Sequence, residues 1–162
     1  MATNIFERIF KKQSQLRPSA MATVAQRRFD DAESLRNTGQ NARANGVAYL
    51  AGFVIEILLK ARLVQRFPAI ASRREHQLRD DERGVWSLIW RQHNLEKMLS
   101  QMPELEAALK KQGERAGRDY VADLKKLCAT WTIQARYSPR TILMDEAGDF
   151  LDRVRELKEK LK

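Results

Sequence analysis

Apolar residues recur at three- and four-residue spacing along most of this chain, and no segment sustains the alternation of a half-buried strand, so the pattern predicts helices. Ala25, Phe29, Ala32 and Leu35 share one face and predict a helix from about Ala22 to Thr38, with Gly39 as its stop. A second helix is expected from about Ala42 to Phe67. It is apolar on most sides between Val47 and Leu63, as a central bundle helix is, and Pro68 ends it. Residues 68 to 84 carry four arginines and four acids with little apolar content, the composition of an exposed, mobile connection. Next comes a helical region reaching about Lys111, divided at Pro103 and closed by Gly113. Its Val85 to Trp90 stretch has some strand character, but Trp86 and Trp90 stand one helical turn apart.

Tyr120, Leu124, Leu127, Cys128 and Trp131 mark a fourth helix, expected to end near Arg136 because Pro139 disfavours helical geometry before it. A short basic loop, Arg136 to Arg140, leads into the last helix, where Leu143, Ala147, Phe150, Val154, Leu157 and Leu161 form a regular seam suited to bundle packing or a dimer contact. Residues 1–20 read as an appendage. Its stripe of Ile5, Phe6, Ile9 and Phe10 beside Arg8, Lys11 and Lys12 suits folding back on the domain or onto a second subunit, or touching a membrane surface. The expected architecture is all-α: an up-down antiparallel bundle of about five helices over residues 21–162.

Composition changes this picture in one respect. The 162 residues suit a single domain, but 30 Lys and Arg against 21 Asp and Glu give a formal charge of +9, which favours polyanionic partners such as RNA, DNA, nucleotides or acidic lipid. Part of that charge is interleaved with acids, as in Glu156 to Lys160, and there it describes a solvated helix face. With Cys128 the only cysteine, no intrachain disulfide forms and multi-thiolate zinc sites are excluded; its helical spacing from Leu124 and Trp131 assigns it to the core. The N-terminus lacks the features of a secretory signal, and the run from Val47 to Leu59 is broken by Glu56 and falls short of the roughly 20 residues that span a bilayer. A cytoplasmic protein without a transmembrane segment is expected.

Candidate chemistry is sparse. Neither His76 nor His93 has a second histidine one turn away, and there is no glycine-rich phosphate loop or Gly-x-Ser-x-Gly elbow, so neither metal nor cofactor is expected. Glu56 and Lys60 fall on one face of the apolar second helix, where a charged pair either closes an internal salt bridge or lines a cleft. His93 precedes Leu95, Met98 and Leu99, at the start of a helical segment, in a capping, packing or site role. Arg136, Tyr137 and Arg140 precede the last helix, where an anion meets free backbone donors, guanidinium groups and an aromatic face. An up-down order would bring Glu56, Lys60, His93, Arg136, Tyr137 and Arg140 to one pole of the bundle.

Three segments carry a family resemblance. Ala48 to Ala61, a small and aromatic run followed by Glu56 and Leu59-Lys60, resembles the central helix of HEPN domains; His93 to Leu99 resembles their His-x-Leu-x-x-Leu third-helix start. Trp131 to Pro139, with Glu146-Ala147 and Phe150-Leu151, resembles their Arg-Tyr loop and terminal helix. The resemblance covers about residues 22 to 161 and implies a small helical bundle associated with nucleotides or RNA, of a kind common in prokaryotic toxin-antitoxin and defence systems. It also implies a homodimer with a basic groove, and a possible partner protein such as a nucleotidyltransferase or antitoxin. Ribonuclease members carry Arg, four to six residues and then His near the start of the last helix. Here Thr141, Ile142 and Leu143 follow Arg136 at the corresponding positions, and the usual base is missing. The reading that follows is a non-cleaving module binding nucleotide or RNA phosphate through Lys60, Arg136 and Arg140, with Tyr137 for stacking. The alternatives are a metal-independent ribonuclease using His93 and Arg136, and a non-enzymatic interaction subunit.

Overall fold

Helix boundaries follow the local chemistry. A computed structural model of the chain describes residues 17–131 and 142–161, in which every regular element is helical. Helix α1 (Pro18–Arg36) starts on Pro18, whose missing N–H is no loss in a first turn. It thereby takes Pro18, Ser19 and Ala20 from the expected appendage. Gly39, with φ +65°, turns the chain through the left-handed region that other residues avoid. Helix α2 (Ala44–Arg66) follows a short 3-10 turn and stops at Phe67, before Pro68.

Residues 68 to 84 are mostly exposed, as expected, but they carry regular structure where a plain connection was expected. They fold into a one-turn helix α3 (Ala69–Ser72), a 3-10 turn (Glu75–Gln77) and the start of α4 (Asp80–Trp90). Two apolar side chains hidden among the charges, Ile70 and Leu78, are each only 3% exposed and tie the segment down. The Glu82 carboxylate accepts the Arg79 backbone N–H at 3.0 Å and closes the entrance to α4. After α5 (Leu95–Ser100), Pro103 begins α6 (Pro103–Ala116), and α7 (Tyr120–Thr130) stops at Trp131, short of the expected Arg136. The last helix, α8, is Met144–Leu161.

Helix directions supply a correction. Helices α1 and α8 run antiparallel, because Arg36 pairs with Asp152, Arg155 with Glu33, and Lys158 with Gln26. Helices α2 and α8 run parallel. At one end Met144 N donates to Asn41 Oδ1 at 2.8 Å and Ile142 N to Asn45 Oδ1 at 3.2 Å; at the other, Arg62 Nε donates to the Leu161 carbonyl at 3.1 Å. Parallel neighbours cannot be joined by a tight turn, and helices α3 to α7 make the long return. The chain is therefore not a simple alternation of up and down helices, and the start of α8 meets the start of α2 rather than its end.

The core is built around α2 by α1 and α8, with α5 and α7 completing it. Ala147, Val154, Leu157 and Leu161 are buried inside the chain, together with Gly148 and Leu151, while Leu143 is 58% exposed. The seam that suggested a dimer contact is thus mostly consumed by the protein's own helices. Among the described residues, no helix is long and apolar enough to cross a membrane.

Candidate functional site

Helix α2 is buried on nearly all sides at its middle, and Glu56 falls there with 0% exposure. One turn later Lys60 reaches back, its Nζ 2.6 Å from Glu56 Oε1. The third member comes from the link between α4 and α5. Asn94 caps α5 by accepting the Lys97 N–H at 2.8 Å, which fixes the chain's entry to that helix. His93, the residue before the cap, lies with Nδ1 2.8 Å from the same Glu56 oxygen. An ionised carboxylate only accepts, so Nδ1 carries the proton it donates and Nε2 of the neutral ring keeps the lone pair. The His93 side chain is 40% exposed against 13% for Lys60.

Both donors converge on Oε1, and Oε2 is buried with no hydrogen-bond partner among the described residues. Leaving such an acceptor unmatched costs about 1–3 kcal/mol. One turn before Glu56, Gly52 makes room for Trp131: a Cβ built on Gly52 would stand 2.0 Å from the indole. Trp131 Nε1 is itself buried and has no hydrogen-bond partner among the described residues. Tyr49 stacks beside it, with ring centroids 6.1 Å apart.

The sequence expected an internal salt bridge or a cleft at Glu56 and Lys60. The pair is a salt bridge, and it also holds an exposed imidazole. Of the six residues expected at one pole, the structure brings together Glu56, Lys60 and His93; Arg136, Tyr137 and Arg140 lie outside the described residues. The flanks of their segment are placed, Trp131 against Gly52 and Ile142 against Asn45. Asn45 is eleven residues from Glu56, about 16 Å along the helix, so the start of the last helix lies away from the carboxylate. The parallel direction of α8 is the reason.

Trp131 was missed as part of this neighbourhood, since helical spacing marked it only as core. Gly52 was its signal: a glycine inside an otherwise apolar helix announces a close approach. Burial pushes the Cys128 thiol up to about 12, with the charges of Glu96 and Glu106 adding to it, so the thiolate is scarce and Cys128 serves as core. Among the described residues, no group of three His, Cys, Asp or Glu side chains is placed to hold a metal ion. Compared with protein-family models, curated proteins and solved structures, the chain matches none.

Proposed function

We propose that this chain is a nucleotide- or RNA-binding module of HEPN type that recognises phosphate at His93 and does not cleave the strand it holds. One observation carries the reading: a fully buried carboxylate is spent on fixing a partly exposed imidazole. The Glu56 and Lys60 charges cancel, so Lys60 serves to hold the carboxylate, and the anion's charge is met by His93 in its protonated form and by Arg136 and Arg140. The resemblance rests on its three sequence segments. The residues on either side of the basic segment, Trp131 and Ile142, both meet α2.

The Glu56–His93 bond also favours the ribonuclease reading, because a carboxylate that fixes Nδ1–H leaves Nε2 free as a general base. Lys60, the cation nearest that base through Glu56, is engaged by the carboxylate and so is not free to stabilise a phosphorane. Arg136 would have to do so.

Both readings are tested on one RNA in EDTA, with wild type, His93→Ala and Arg136→Ala. Wild type is expected to bind with an affinity that falls as salt rises and to leave the RNA intact; each substitution should cost about 1–3 kcal/mol of binding with circular dichroism unchanged. Cleavage abolished by both substitutions would establish the ribonuclease instead. Neither binding nor cleavage, with a protein co-purifying, would identify an interaction subunit.

A further inference from the structure

Helix α4 ends in an aromatic pair. Trp86 and Trp90 stand one turn apart with centroids 6.2 Å apart and planes inclined at 43°. Trp86 is covered: it packs against the core, and the Arg91 guanidinium lies 4.9 Å over its ring, held there by Glu75 at 2.9 Å. Trp90 is open, at 52% exposure. Among the described residues the other large exposed apolar side chains are Val24 and Leu143, on α1 and just before α8. Trp90 is thus a lone indole, too small a surface for a protein interface or for insertion in a bilayer.

Charged residues flank it in the chain and in the Glu75–Arg91 pair. His93 follows three residues later. Arg73 and Arg74 are exposed and have no acidic partner among the described residues, and they immediately precede Glu75, which binds Arg91. An open π face, with two exposed guanidinium groups in the residues just before the Glu75 that binds Arg91, matches a nucleobase flanked by phosphates. In a duplex the base faces are stacked away, so the ligand must offer an unpaired base.

Resting on the phosphate-binding reading above, we propose that Trp90 is a stacking platform for one unpaired base of single-stranded RNA, whose adjoining phosphates meet His93 on one side and Arg73 and Arg74 on the other. The platform makes the ligand class single-stranded RNA rather than duplex RNA or a bare phosphate.

The test titrates oligouridylate and a duplex RNA of equal length into the full chain while following tryptophan fluorescence and anisotropy of a labelled strand. Wild type should bind oligouridylate more tightly than duplex, with quenching of tryptophan emission. Trp90→Ala should lose roughly 10- to 100-fold in oligouridylate affinity and most of the quenching, and Trp90→Phe should retain most of the affinity. Trp90 is exposed, so its removal should leave circular dichroism unchanged. Wild-type binding that Trp90→Ala does not weaken would overturn the platform and leave the phosphate reading standing. Absence of wild-type binding to either RNA would overturn the platform together with the RNA half of the phosphate reading, leaving nucleotide binding at His93. A change from dimer to monomer on Trp90→Ala, without an effect on RNA, would show that Trp90 serves self-association and overturn the platform.

Discussion

Gly52 and Trp131 show how much one missing methyl group can decide. The indole occupies the space that any other side chain at 52 would need, with a Cβ position 2.0 Å from the ring, and both neighbours belong to rigid packing. Gly52→Ala is therefore expected to destabilise the fold by about 1–3 kcal/mol in denaturant melts, and to blue- or red-shift the tryptophan emission as Trp131 is displaced. Unchanged stability and emission would mean that the ring does not sit on Gly52. The Glu56 and Lys60 pair was legible at this scale because two charges one turn apart in an apolar helix must find each other. Their third partner, His93, was expected at the same pole, although nothing in a spacing of 37 positions specifies its bond to Glu56.

Helices were legible wherever one face repeated, as on α1, α2 and α7, and their ends were legible at Pro68 and Pro103. The exposure of the segment from 68 to 84 was legible in its composition, but its helical turns and its two buried anchors, Ile70 and Leu78, were not, because the charges around them hid the pattern. Phase was also misjudged at the start of α8, where Met144 rather than Leu143 enters the core. Helices α1 and α8 are held together by charge as well as by packing. The hydrogen bond from Arg36 holds the Asp152 carboxyl below its ordinary value of 3.8. A depressed folded-state value means stability present at neutral pH and lost as pH falls through that value. Asp152→Asn should lower the melting temperature at neutral pH by an amount equivalent to at most about 1 kcal/mol, the site being partly exposed. That gap should close in acid, where wild type has lost the same interaction. A gap independent of pH would assign the effect to packing.

At the scale of the whole molecule, helical class and excess positive charge could be read directly, but direction could not. Short loops make antiparallel neighbours the default, and the chain between residues 67 and 143 was too rich in short helices to reveal itself as one long return. That return has a consequence for the order in which the protein can assemble. Asn41 meets Met144 across 103 positions and Arg62 meets Leu161 across 99, so the central helix is sealed by the last described element to leave the ribosome. Loop-closure entropy delays such contacts, and until they form the nascent hairpin of α1 and α2 exposes an apolar flank to chaperones and to its own kind. A chain ended after Trp131 should accordingly show no cooperative thermal transition and should aggregate, whereas supplying residues 142–161 as a separate peptide should restore solubility. Birth order thus makes α8 the keystone: everything before it waits, half built, for the final twenty described residues.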